Sequence, residues 1–370
     1  MLRIYLAMEQ ELLVVSQKGD GTWDVEPQLM GMQPTCIAVD PLRPERVYCG
    51  TFGRGLWRSQ DAGARWQPIA DPGAAMEPYD GKGIPWAKVM SLAISPNERN
   101  NGHGVVYAGT EPASLYRSED GGATWHDLAA LRDLPSASIW SFPPRPYTNL
   151  VRCIAPDPHV AGRLFVAIEA GALVHTDDGG ESWHDRTPDG PFDTHTLLMH
   201  PLAPGWLYSA AGDGGRSPER GYSESYDVGQ SWQRPVSGRE YHYLWGMAID
   251  PADPDTVLIS ASPNAGKAHH ARETAFSTIY RKTADSKSAD SKRADNIWHE
   301  VRGGLPDPQG VVAPVLATNP QEPHTFYILT NKGLYRSDDA GLTWEALLPA
   351  WPAEYLTQHQ QDLVVTTSDQ

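Results

Sequence analysis

Short apolar runs that end in proline recur along this chain: Cys36-Ile-Ala-Val-Asp-Pro41, Ser91-Leu-Ala-Ile-Ser-Pro96, Cys153-Ile-Ala-Pro-Asp-Pro158, Thr196-Leu-Leu-Met-His-Pro201, Gly246-Met-Ala-Ile-Asp-Pro251 and Val315-Leu-Ala-Thr-Asn-Pro320. One position in each is large and apolar (Ile37, Leu92, Ile154, Leu197, Met247, Leu316), and the next is usually Ala. Such a run suits an inner strand covered on both faces. The proline has no N–H to give the ladder, so it ends the strand and opens a tight turn. Second strands follow, such as Val47-Tyr-Cys-Gly-Thr51, Val105-Val-Tyr-Ala-Gly-Thr110 and Leu164-Phe-Val-Ala-Ile168, and then third strands of the type Gly333-Leu-Tyr-Arg-Ser337.

Each third strand runs into an eight-residue turn. Its five good copies are Ser59-Gln-Asp61-Ala-Gly63-Ala-Arg-Trp66, Ser118-Glu-Asp120-Gly-Gly122-Ala-Thr-Trp125, Thr176-Asp-Asp178-Gly-Gly180-Glu-Ser-Trp183, Ser225-Tyr-Asp227-Val-Gly229-Gln-Ser-Trp232 and Ser337-Asp-Asp339-Ala-Gly341-Leu-Thr-Trp344. Two degenerate copies end at Trp23 and Trp298. The closing tryptophans fall roughly 40 to 66 residues apart, the span of four short strands and their loops. The Asp accepts hydrogen bonds from its own turn, the Gly tolerates positive φ, and the Trp starts the next strand with a large apolar surface. The motif resembles the Asp-box, or BNR repeat, of sialidase-like propellers. That resemblance implies an all-β, seven-bladed β-propeller with four-stranded antiparallel blades. It also implies that the box aspartates are structural and lie on the face away from any active site.

The chain starts inside a blade, with Arg3–Ala7 and Leu12–Ser16 reading as second and third strands. The segment Gln361–Thr367 is the expected missing inner strand of that blade, closing the ring and removing its open edge. Residues 1–370 then form one propeller domain, with the low-complexity segment 283–297 as a hairpin insertion where the sixth box should stand.

The net charge of −16 disfavours nucleic acid and anionic membrane surfaces as partners. No apolar run approaches a membrane span and the start lacks a signal-peptide pattern, so a cytoplasmic location is expected. Cys36 and Cys49 lie on neighbouring strands and could face each other. Cys153 repeats the Cys36 position, and all three read as small buried apolar residues.

Blade-equivalent positions that only pack should carry similar residues, so departures mark candidate function. The entrance of the inner strand carries Thr35, Met90, Arg152, His195, Trp245 and Pro314; two positions earlier come Gln33, Lys88, Asp193 and Tyr243. Loops between second and third strands place Glu9, Phe52, Glu111, Glu169 and Asn331 at matching positions, with Arg54 and Lys332 close by. Two of these loops are long, 212–221 with Asp213 and 262–273 with His269-His270, the latter read as flexible. Inter-blade loops add Trp86, Trp140, Arg145, Tyr147, Asn149, Tyr241 and His242. Arginines that fork onto carboxylates or phosphates, beside aromatics that stack on sugar rings, suit a carbohydrate or small anion.

Two functions follow as alternatives. The first is a glycosidase-like hydrolase or lyase acting on a sugar-like or small anionic substrate at an axial pocket opposite the boxes. Glu111, Glu169 and Asp213 are its candidate carboxylates, and His195 and His242 are alternative acid/base groups. Arg54, Arg152, Trp86, Trp140, Tyr147, Tyr241, Tyr243 and Trp245 are its candidate ligand contacts. No motif requires a cofactor, and a divalent metal on His195 and His242 stays open. The second is a non-catalytic propeller that grips a protein partner with the same face. The resembled family spans both kinds, from sialidases and twin-propeller xyloglucan hydrolases to sortilin-type receptors and photosystem assembly factors. The sialidase Phe/Tyr-Arg-Ile-Pro segment is not met: its nearest string, Leu2-Arg3-Ile4-Tyr5, lacks the proline.

Overall fold

The computed structural model describes residues 1–70, 83–269, 274–283 and 297–367. Seven antiparallel sheets follow one another along the chain, and the fold is an all-β, seven-bladed β-propeller. The only α-helix among the described residues is the single turn Ala265–His269, and no helix among them is long and apolar enough to cross a membrane.

Contacts group the chain into two compact units, Met1–Thr194 with the last residues of the chain, and His195–Val365. In the first unit the second sheet runs Pro34–Asp40, Arg43–Thr51, Leu56–Ser59, Gln67–Ile69, each strand beside the next. The third begins at Lys88–Asn100 and the fourth at Val151–Pro156. In the second unit the inner strands are Thr194–His200, Tyr243–Asp250 and Val315–Thr318. The first sheet has the order Asp362–Thr367, Leu2–Ala7, Leu12–Gln17, Trp23–Gln28, so the last strand of the chain is the inner strand that the opening residues lack.

The alternation of side chains explains the packing. In the first unit Val105, Tyr107, Leu115, Val151, Val166, Ile168 and Val174 share one core. In the second, Tyr208, Leu244, Met247, Ile259, Tyr280 and Trp298 share another. Successive residues point to opposite faces, and every second one lies in a layer between two sheets.

Two expectations need correction. The fourth and fifth sheets have three strands, not four. Their fourth strand shrinks to one bridge, His175 with His184 and Glu224 with Gln233. Pro188 and Pro235 follow within a few residues and cannot extend the ladder. Cys36 and Cys49 do not face each other: Cys36 pairs with Gly50 and Cys49 with Ile37, which puts the two thiols on opposite faces. Cys36 and Cys49 are buried and Cys153 is partly exposed. Of the expected hairpin insertion, residues 284–296 lie outside the described residues; Thr278–Lys282 and Trp298–Val301 pair on either side of it.

The repeated turn owes its shape to two consecutive residues in the left-handed region, Ala62 and Gly63 at φ 57° and 94° in the second sheet. The Ser59 hydroxyl donates to Asp61 Oδ1 and accepts from the Gly63 N–H, both at 2.8 Å. Asp61 Oδ1 accepts the Arg65 N–H at 2.8 Å, and the Trp66 indole N–H donates to the Gly63 carbonyl at 2.9 Å. The same bonds recur around Asp120, Asp178 and Asp339. Around Asp227 the serine and carboxylate bonds hold, but the buried Trp232 Nε1 has no partner.

Candidate functional site

Four of the variable entrance positions share a backbone cause. Thr35, Met90 and Arg152 are each skipped by the strand register, between Pro34 and Cys36, Val89 and Ser91, and Val151 and Cys153. Trp245 and Gly246 are skipped likewise between Leu244 and Met247. A bulge leaves its extra residue outside the ladder and re-aims its side chain. That frees the position from the core pattern and lets each sheet carry different chemistry there.

In the first unit, Glu111 ends a second strand with its side chain buried. Arg145 grips it through Nε to Oε1 at 2.9 Å and Nη2 to Oε2 at 2.5 Å, and Lys88 Nζ donates to Oε1 at 3.1 Å. Phe52 underlies both cations, with Lys88 Nζ 4.6 Å and the Arg145 guanidinium 5.1 Å from its ring centre. Burial raises the Glu111 pKa, but the bonds from Arg145 and Lys88 outweigh it and hold the carboxyl below its ordinary value. Glu111 is thus a clamped, ionised anchor for two cations.

Glu169 occupies the equivalent point of the fourth sheet and is also buried. Its N–H donates to the Leu150 carbonyl at 3.2 Å, and Arg152 Nε stands 3.9 Å from its Oε2. The adjacent Ala170 N–H donates to Asp193 Oδ1 at 3.0 Å, and a carboxylate oxygen of Asp193 lies within 4.8 Å of one of Glu169. The strand Ala172–Thr176 separates this pair from the repeated turn at its other end. Five residues at about 3.3 Å each make that separation about 16 Å. The other expected contacts of this unit differ in setting. Trp140 is buried in the core and its indole N–H donates to Ser136 Oγ at 3.1 Å. Trp86 and Tyr147 are 38% and 84% exposed, and Arg54 is exposed.

In the second unit, imidazoles and aromatics gather at one strand entrance. His195 lies with its ring centre 4.5 Å from Trp245 and 5.2 Å from Tyr243. The Trp245 ring is 4.3 Å from His269. A directional chain of bonds follows, set by its final acceptor. The Gln360 carbonyl can only accept, so His359 Nδ1 donates to it at 2.7 Å and His359 Nε2 becomes an acceptor. His269 Nδ1 then donates to His359 Nε2 at 2.8 Å, and the Tyr243 hydroxyl donates to His269 Nε2 at 2.8 Å. The two imidazoles are 18° from coplanar, as this in-plane bond requires. By the same logic His195 Nδ1 donates to the Leu244 carbonyl at 2.7 Å.

His242 does not join this group. Its Nδ1 is buried without a partner, and burial, then the nearby Arg239, lower its pKa against a small opposing pull from Glu219. Among the described residues no cluster of three metal-type ligands includes it. The long loop of Asp213 docks on the His242 backbone: a Cβ on Gly214 would lie 1.8 Å from the His242 carbonyl oxygen, so glycine is required there. Asp213 itself is the second residue of the short 3-10 helix Gly212–Gly215 and is partly exposed. Tyr241 packs edge-on against Phe276 at 5.0 Å. Asn331, at the same repeat position as the glutamates, fastens backbone instead, accepting from Val312 N–H and donating to the Gly310 and Leu356 carbonyls.

Sequence reasoning missed three groupings. Lys88 and Arg145 are visible as cations but not as a joint clamp on Glu111. Asp193 is visible as a varied position but not as a neighbour of Glu169. His359 lies outside the repeated elements, and no spacing rule reaches it. His270 lies outside the described residues.

No protein-family model matches the chain. Over 101 residues it is 33% identical to the xyloglucanase Xgh74A of Acetivibrio thermocellus, a match covering 24% of this chain and 12% of that protein. The chain therefore spans only a small part of that curated relative. Among solved structures, a GH74 enzyme of Niastella koreensis superposes with a TM-score of 0.62 at 15% identity, covering 92% of this chain and 53% of the other. YCF48 bound to D1 peptide superposes with a TM-score of 0.51 at 18% identity, covering 85% and 81%. At these identities the likeness to solved structures is one of fold.

Proposed function

We propose that residues 1–370 work as one carbohydrate-directed propeller with glycosidase-like chemistry, on a substrate of the xyloglucan class. The observation that carries this reading is the carboxyl pair Glu169 and Asp193 beside Arg152, joined to the local sequence likeness to a xyloglucanase. Two nearby carboxyl groups are what glycoside cleavage needs. One donates a proton to the departing sugar oxygen as the C–O bond breaks. The other takes the proton of the water that adds to the anomeric carbon, or attacks that carbon itself. Glu111, already bonded to two cations, serves to position Arg145 and Lys88 at the rim. The exposed Trp86 and Tyr147 offer ring faces for sugar stacking.

The test is incubation with xyloglucan oligosaccharides, with product read by reducing-end release and binding by calorimetry. Glu169→Gln and Asp193→Asn are expected to lower turnover by about 100-fold or more while oligosaccharide binding persists. Unaltered turnover in both variants would remove the pair from the mechanism. The exposed apolar side chains Trp86, Ile139 and Tyr147 favour, as a second reading, a surface that grips a peptide.

A further inference from the structure

The repeat supplies an internal control at the far end of the third strand, where the turn begins. There each sheet pairs one residue with a partner across the turn: Arg58 with Gln67, Arg117 with His126, Arg281 with His299 and Arg336 with Glu345. In the fifth sheet the pair is Glu224 with Gln233. The fourth sheet alone among these places histidine on both sides, His175 with His184. Two residues along, just past the end of the strand Ala172–Thr176, stands Asp177. In the third and seventh sheets the residue at that point, Glu119 or Asp338, is an ion-pair partner of the arginine. Here imidazole has replaced the guanidinium, and the acid remains.

The geometry of the three is that of converging donors. The imidazoles stack with centres 4.5 Å apart and planes 14° from parallel, so they cannot bond each other in plane. Phe165 stacks beneath His175 at 5.2 Å and fixes the ring. Nε2 of His184 and of His175 lie 3.5 Å and 3.9 Å from Asp177 Oδ2. Those separations are long for hydrogen bonds. They are close to the spacing of roughly 3.3 Å between neighbouring donors around a tetrahedral ion with bonds of about 2.0–2.2 Å. One donor atom from each residue lies within 4.8 Å of the others. Arg163 Nε donates to Asp177 Oδ1 at 2.5 Å, which leaves Oδ2 turned to the imidazoles. This is the role of an outer partner that orients a ligating carboxylate.

We propose that His175, His184 and Asp177 bind a divalent cation of the zinc class, with three protein ligands and a fourth position open to solvent. Two imidazoles and one carboxylate select Zn²⁺, Co²⁺, Ni²⁺ or Cu²⁺ over Mg²⁺ and Ca²⁺, which take oxygen ligands. The site stands at the opposite end of the strand Ala172–Thr176 from Glu169, so its occupancy is independent of the carbohydrate reading.

The test is calorimetric titration of the full chain, freed of metal, with Zn²⁺ and separately with Mg²⁺, together with the visible spectrum of a Co²⁺ complex. One equivalent of Zn²⁺ is expected, no Mg²⁺ heat, and Co²⁺ bands of a four-coordinate ion. In His184→Ala and in His175→Gln the Zn²⁺ affinity should fall at least about tenfold. His184 has a side chain 59% exposed, so His184→Ala keeps the metal-free unfolding midpoint of the parent and decides the matter if His175→Gln folds poorly. Absence of saturable Zn²⁺ binding, or unchanged Zn²⁺ affinity in His184→Ala, would overturn the assignment.

Discussion

Arg145 meets Glu111 as a fork meets a carboxylate, its Nε and Nη2 on separate oxygens at 2.9 and 2.5 Å. The Glu111 side chain is 2% exposed and that of Arg145 27%, so water screens only one partner. Arg145→Met should cost about 1–3 kcal/mol, less than a fully buried pair because Lys88 remains. The same carboxyl is held below its ordinary 4.5. A depressed folded-state value contributes stability above the unfolded value and loses it as pH falls through the folded one. Denaturant titrations should therefore show the gap between wild type and Arg145→Met narrowing as pH drops below about 4; a constant gap would deny the linkage.

The turn carboxylates make a similar prediction at lower pH. Burial raises the Asp339 pKa, but bonds from Thr343, Ser337 and Leu342 outweigh it and hold the group at about 2. Asp61, Asp120, Asp178 and Asp227 are lowered as well. All five favour folding above the ordinary carboxylate range and withdraw that stability as pH falls through their lowered folded-state values. Asp339→Asn should cost about 1 kcal/mol at neutral pH, and the difference should shrink markedly by about pH 2, where the folded carboxylate is half protonated. Unfolding midpoints measured at both pH values check this.

Lys282 and Glu224 form an ion pair with each side chain 1% exposed, and the hydroxyls of Tyr222 and Tyr226 also donate to Glu224. Lys282→Met strands a buried carboxylate and should cost about 3–5 kcal/mol. The double variant Lys282→Met, Glu224→Gln removes both charges and should recover at least half of that loss. Additive losses in a double-mutant cycle would show that the two residues do not act as a pair.

The C-terminal strand Asp362–Thr367 completes the first sheet. Leu363 and Val365 are buried at 4% and 5% exposure, worth about 1.5–3 kcal/mol each in transfer terms, before any ladder bonds are counted. Truncation after Gln361 should sharply lower the unfolding midpoint and leave Leu2–Ala7 as a sticky edge, visible as association in sedimentation. An unchanged midpoint would reject this closure.

The sheets are legible in the sequence because strand alternation and the turn chemistry are local: Asp339, Gly341 and Trp344 need only their own neighbours. Sheet completeness is less legible, since the proline after His184 acts against a motif that otherwise promises a fourth strand. The candidate site is legible as a set of positions, because Thr35, Met90 and Arg152 depart from the core pattern at one bulge. Its pairings are not. Glu111 with Arg145, Glu169 with Asp193, and His269 with His359 join loops far apart in sequence, and no local rule brings such residues together. The role of Trp140 is hidden for the same reason, since an inter-blade tryptophan reads alike whether it covers a core or faces solvent.

Xyloglucan oligosaccharide turnover by wild type and by Glu169→Gln, followed as reducing ends released, bears most directly on the carbohydrate reading. Release by wild type and near-complete loss in Glu169→Gln, with the oligosaccharide still bound, is the predicted outcome. Neither binding nor release by the wild-type chain across neutral and acidic branched glucans would contradict it.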